Sequence, residues 1–192
     1  AMGLRGFLPL FTRPAPRRLM LAAAADGFLL FGGALPFVAS ALIQDHGQSA
    51  AAAGIIVAGF GLGSLAYTRG AAWLVRRLGE GGMLLWGGIG MGGCMLAIAA
   101  APHWGVIALA QVALGLLFFM LHGVLQARAT EALPNARGTA VAGFAMSLFL
   151  GQSLGAVVFG ALIAGAGFAA AFVVAAVGVA GLGVLARRLL RG

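Results

Sequence analysis

An aspartate in an otherwise apolar run is the first residue of this sequence that could do chemistry. Asp26 lies in the stretch 19–43, which holds no other charge. At 3.6 residues per turn, Asp26, Gly33, Phe37, Ser40 and Gln44 fall on one helix face, Gln44 five turns beyond Asp26. Inside lipid a charged aspartate at a helix centre costs about 2.5–3.5 kcal/mol, so such a residue is a candidate for function by default. Asp26 stands about 7 Å off the centre of its run at 1.5 Å per residue, which lowers that cost. Two readings stay open. The carboxylate binds a proton or a cationic group in a cavity, or it stays hydrated at the interface or pairs with an arginine. A second polar face gathers Gln111, Gly115, His122 and, more loosely, Gln126 on the run 105–126. An imidazole there could relay protons near neutral pH, or hold a neighbouring helix as a neutral partner. Gln152 reads as an inter-helix hydrogen-bond former. Arg128 and Glu131 read as a local pair at three-residue spacing, Arg69 as a residue that snorkels or faces the bundle, and Pro36 as a kink.

Other motifs match by letter and fail by context. Gly88-Ile-Gly90-Met-Gly92-Gly93 spells a dinucleotide fingerprint, but no strand precedes it. Gly151-Gln-Ser-Leu-Gly155 spells a nucleophile elbow, but no acid or histidine follows residue 131 to complete a triad. His46, His103 and His122 lack metal-ligand spacing. Without lysine, neither a Walker lysine nor a Schiff base can form. Cys94 is the single cysteine, so there is no disulfide framework. We expect no enzyme, no cofactor and no metal.

The elements that position these residues follow from composition. Of 192 residues, 62% are hydrophobic and only 8% charged. A soluble domain carries about 25% charged residues, so this chain cannot cover a water-facing surface. Six apolar runs, at about 19–43, 49–75, 82–101, 105–126, 139–165 and 168–186, are each long enough to cross a hydrocarbon core about 30 Å thick. Residues 1–18, broken by Pro9, Pro14 and Pro16, read as a cytoplasmic linker. The formal charge of +8 comes from twelve arginines, which fall before the first run or near the links after the second, fourth and sixth. The other three links carry none. That bias predicts both chain ends in the cytoplasm and argues against nucleic-acid binding, which needs a basic face or stacking platform. The lipid bilayer is thus the first expected partner. Helix contact in lipid depends on small residues, and Gly59/Gly63, Gly88/Gly92 and the ladder Gly143, Ser147, Gly151, Gly155 supply them at four-residue spacing.

The link Ala72-Trp-Leu-Val-Arg-Arg-Leu-Gly-Glu-Gly81 resembles the cytoplasmic signature of the major facilitator superfamily, Gly-x-Leu-Ala-Asp-Arg-x-Gly-Arg-Arg. Leu74, Arg77 and Gly79 match; Ala72, Arg76 and Glu80-Gly81 depart from the first glycine, the acid and the final basic pair. The stretch His122 to Gly160, with Arg-Gly-Thr-Ala at 137–140, is similar to helices ten and eleven of bacterial efflux-type members, and residues 11–20 resemble the basic link between the two halves. The resemblance implies an all-α membrane protein: a C-terminal lobe, at 19–192, of six transmembrane helices in two inverted three-helix repeats. Gly27-Phe-Leu-Leu-Phe31 against Gly115-Leu-Leu-Phe-Phe119 echoes that repeat. The first and fourth spans would line a central cavity, and the lobe would rock against its counterpart about a midplane site.

On these grounds the expectation is a proton-coupled efflux antiporter of a bacterial inner membrane, moving a small-molecule substrate. Asp26 and His122 are the proton-site candidates. Phe37, Ser40, Gln44, Gln111, Gln126 and Gln152 are the substrate-cavity candidates, and Arg76, Arg77 and Gly79 form the cytoplasmic gate loop. The partner would be an N-terminal six-helix lobe, in the same polypeptide or a second copy. The alternative is a self-contained six-span scaffold or assembly subunit without transport.

Overall fold

Four helices long and apolar enough to cross a membrane make up nearly the whole chain. The structure, a computed structural model, describes residues 4–190; residues 1–3 of the expected linker and Arg191 lie outside it. After a short 3-10 turn, Leu4–Phe7, come α1 (Leu8–Thr12), α2 (Pro14–Asp26), a π-helical run (Gly27–Ala34), α3 (Leu35–Gln44), α4 (Ala50–Ala99), α5 (Trp104–Glu131) and α6 (Arg137–Leu189). The first long helix therefore begins at Pro14, not 19. Arg13 is extended and Pro14 takes the first helical position, where its fixed φ fits and its missing N–H costs nothing. Pro14–Arg18 of the expected linker are thus helical.

α4 and α6 have 50 and 53 residues, about twice the length that spans a bilayer. Each is broken at one glycine, Gly79 (φ 63°, ψ 169°) and Gly167 (φ 83°, ψ 171°). This backbone region is essentially open to glycine alone. The expected three-residue links at 79–81 and 165–167 thus shrink to one residue each. Packing shows that the chain reverses there. Going along α4 before the break, Gly59 meets Ala108 and Val112, Gly63 meets Val112 and Leu116, and Tyr67 stacks on Phe119. Beyond the break Gly87 meets Leu121 and Gly90 meets Leu117. The first part runs parallel to α5 and the second antiparallel. Six rods result: 14–44, 50–78, 80–99, 104–131, 137–166 and 168–189, numbered one to six below.

Three pairs of rods hold the lobe together, and small residues make each contact. Rod one lies along rod five: a Cβ on Gly151 would overlap the Ala24 carbonyl, one on Gly155 that of Phe28, and one on Gly27 that of Leu148. Rod two lies along rod four, with Gly63 on the Val112 carbonyl and Gly115 on that of Phe60. Rod three crosses rod six through Gly88, Gly92 and Gly183. The glycine pairs and the ladder expected to join helices do so. The contacts also repeat along the sequence. Gly79 and Gly167 are 88 positions apart. The same offset carries Gly27 and its contacts at Leu148 and Gln152 onto Gly115 and its contacts at Phe60 and Ser64, and carries Gly63 on Val112 onto Gly151 on Ala24. Each three-rod half is a copy of the other in the opposite direction, because an odd number of rods separates them.

Candidate functional site

One polar pair interrupts this symmetry. The counterparts of Asp26 and His122 at the 88-residue offset are Leu114 and Ala34, so the acid and the base have no mirror image. His122, on rod four, sets its Nδ1 2.6 Å from Oδ2 of Asp26 on rod one, across 96 residues of sequence. Asp26 is fully buried and His122 is 8% exposed.

The local chain explains how the two meet. α2 ends at Asp26 and the backbone widens into the π run, a departure common at functional sites. Its i→i+5 bonding is seen where the Leu35 N–H reaches the Leu30 carbonyl. Pro36 follows in the first turn of α3. A proline there gives no N–H and presses its ring on the carbonyl four residues back, at Gly32; the wider turns absorb both defects. Gly27 and Gly32 let the run lie on the backbone of Leu148 and Gln152, which fixes its height against rod five.

Aromatic rings wall the imidazole. Phe118, one turn earlier on α5, stacks on it with centroids 4.7 Å apart. Phe31 approaches edge-on at 6.1 Å and Phe144 tilts toward it at 5.7 Å. Two atoms of the site stay uncommitted. Asp26 Oδ1 is buried with no hydrogen-bond partner. His122 Nε2 has none among the described residues either, yet it is not enclosed, since the buried orphan atoms are Asp26 Oδ1 and the two of the Gln111 amide. The imidazole thus turns Nδ1 to the Asp26 carboxyl group and leaves Nε2 at the open edge. Such a pair can hold one further proton on Nε2 as imidazolium–carboxylate. Without it, a buried carboxylate keeps its charge, which is costly in a low-dielectric interior.

The remaining candidates are dispersed. Phe37 is half-buried beside Gly160, and Ser40 is half-buried. Gln44 is exposed while Asp26 is buried, so the face drawn from one to the other does not continue. The π run takes more than 3.6 residues per turn and rotates everything after it. Gln111 is buried with both amide atoms unpartnered, about 16 Å along the α5 axis from His122. Gln126 is exposed, and Gln152 is half-buried. Asp26 is buried against His122, and among the described residues no arginine pairs with it.

The family model of the Major Facilitator Superfamily matches residues 19–192. The chain belongs to the Major Facilitator Superfamily. No curated protein and no solved structure matches it. As a member of a transporter superfamily it is a multi-pass membrane protein whose general function is transport. In this superfamily member the loop around Gly79 makes its cross-helix contact through Glu80, one of the residues that depart from the signature. Arg76 and Arg77 are exposed, and Arg77 lies 6.0 Å over the Trp73 ring one turn away. Glu80 instead holds Arg128, with Oε2 2.9 Å from Nε and 2.8 Å from the second guanidinium nitrogen. Arg128 also donates to the Leu190 carbonyl. The expected Arg128–Glu131 pair is therefore corrected: the guanidinium turns across to rods three and six, where it meets an acid and the free carbonyls of a helix end. The contacts of Phe31, Phe144 and Glu80 were not legible because their partners are remote in sequence. Phe118 was within reach, four residues before His122 on one face.

Proposed function

We propose that the chain is the C-terminal half of a proton-coupled antiporter that exports a small organic solute across a bacterial inner membrane. The observation that carries this reading is the buried 2.6 Å contact of His122 with Asp26. The pair is neutral with the extra proton and carries one buried negative charge without it. A proton and a cationic or hydrogen-bonding solute are then alternative means of satisfying the same site, which is the logic of exchange. Phe37, Ser40 and Gln152 extend the solute path toward the opposite end of the lobe, and the buried Gln111 is its remaining candidate. Gln44 and Gln126 lie at the two ends of that path. The second wall of the cavity comes from an N-terminal six-helix lobe, in the same polypeptide or from a second copy. The crowding of arginines at one end supports placing that end and both termini in the cytoplasm. The turn at Gly79, with Arg76 and Arg77 beside it, acts there as the gate, tied by Glu80 and Arg128. The role is that of a carrier and not of a catalyst.

The test is flux in the complete protein reconstituted in liposomes with a pH gradient. Asp26→Asn and His122→Gln each lower gradient-driven flux at least tenfold while the protein still inserts and purifies. Undiminished coupled flux in both variants contradicts the assignment.

A further inference from the structure

The internal repeat supplies a matched pair of grooves on the outside of the lobe. Between rods one and six lies an apolar groove of about 610 Å³ lined by Ala25, Leu29, Gly178, Gly181, Leu185 and Arg188, among others. Between rods four and three lies one of about 380 Å³, whose lining includes Ala113, Gly90, Gly93 and Ala97. The same 88-residue offset carries Ala25, Gly178, Gly181 and Leu185 onto Ala113, Gly90, Gly93 and Ala97, and Leu29 on Gly178 repeats as Leu117 on Gly90. At Gly181 and at Gly93 an added Cβ would meet nothing within 4 Å, so both grooves are open at the equivalent point. They differ in one respect. The first ends at Arg188, and the counterpart of Arg188 is Ala100.

From Gly178 to Arg188 the groove runs about 15 Å along rod six, half of a hydrocarbon core about 30 Å thick and so the depth of one leaflet. Arg188 is exposed and joins no ion pair among the described residues. It stands at the end of α6 beside Arg187, and the only acid tied there among the described residues, Glu80, is taken up by Arg128, so the local field is positive. A guanidinium binds a phosphate oxygen pair through its planar fork. We propose that the groove between rods one and six is a binding site for one anionic phospholipid, with an acyl chain over Gly178 and Gly181 and the headgroup phosphate on Arg188. The twin groove accepts an acyl chain without headgroup preference. The charge complement, the one-leaflet depth and the uncharged twin together single out this occupant over bulk lipid, and the inference is independent of the proton site.

Native mass spectrometry of the complete protein, equilibrated with equal amounts of phosphatidylglycerol and phosphatidylcholine, reads the preference. One basic side chain near a membrane surface favours anionic lipid by an amount that corresponds to about fivefold. The unsubstituted protein should retain phosphatidylglycerol about fivefold over phosphatidylcholine. Arg188→Gln should bring that ratio near one. Gly181→Leu, whose Cβ has open space around it, should lower the retained phosphatidylglycerol, and Gly93→Leu in the twin should leave it unchanged. Equal retention of the two lipids by the unsubstituted protein overturns the proposal. So does a preference that survives Arg188→Gln, or an equal loss from Gly93→Leu and Gly181→Leu, which would mark the lipid as a general coat. A groove that takes up neither lipid, as when another helix covers it, overturns it as well.

Discussion

Replacing Phe118 tests what holds the imidazole. Its ring stacks on His122 and also contacts Phe31 and Phe60, so Phe118→Ala removes a wall shared by rods one, two and four. Truncating a buried phenylalanine costs about 3–5 kcal/mol. A fall in unfolding temperature, together with reduced gradient-driven flux, is the expected result, while Phe149→Ala on an exposed position of rod five should move neither. The sequence made Asp26 and His122 conspicuous as polar groups in apolar runs. It could not show that they touch, because helical periodicity assigns faces within one rod and says nothing of which rod faces it. Gln111 was equally conspicuous, and its amide finds no partner. Polarity in an apolar run marks a candidate without saying what satisfies it.

For the helices, glycine spacing was legible and glycine consequence was not. Gly61 and Gly63 look alike in sequence, but a Cβ at Gly61 meets nothing within 4 Å, whereas one at Gly63 would collide with the Val112 backbone. Gly63→Ala should therefore lower the unfolding temperature markedly. Gly61→Ala should hold or raise it, since alanine is favoured over glycine in a helix by about 1 kcal/mol. The reversals at Gly79 and Gly167 make a parallel case. An alanine forced into that backbone region costs about 1–3 kcal/mol, so Gly79→Ala and Gly167→Ala should each destabilise, while Gly70→Ala, in open space within regular helix, should not. The π run lay beyond sequence reasoning. Pro36 announced a kink, but the wider turns depend also on Gly27 and Gly32 lying on rod five. That register shift is why the face drawn from Asp26 to Gln44 breaks.

Across the whole lobe, the two halves share a scaffold and differ in their polar groups. The repeat aligns both chain reversals, the glycine contacts of rods one with five and two with four, and the two outer grooves. Of the repeat, the sequence showed one faint echo, because a glycine contact constrains two or three positions and leaves the rest free to drift. Composition fixed the all-α membrane class, since a chain with 8% charged residues has no other surface to offer. At the arginine-rich end, Arg128 ties rods three, four and six through Glu80 and the Leu190 carbonyl. Its side chain is 28% exposed and that of Glu80 49%, and a solvent-exposed pair contributes under about 1 kcal/mol. Arg128→Gln should accordingly change the unfolding temperature little and instead alter the rate of transport, as expected of a contact that is made and broken during a cycle. An unchanged transport rate would reduce the tie to a surface ion pair.

The central claim is that Asp26 fixes the tautomer of His122, leaving Nε2 to exchange the proton. Nitrogen-15 NMR of the His122 ring across a pH titration measures this directly. The account predicts that Nδ1 stays protonated throughout, and that Asp26→Asn releases this preference. A ring that carries its proton on Nε2 with Nδ1 bare, or a preference for Nδ1 that survives Asp26→Asn, would contradict it.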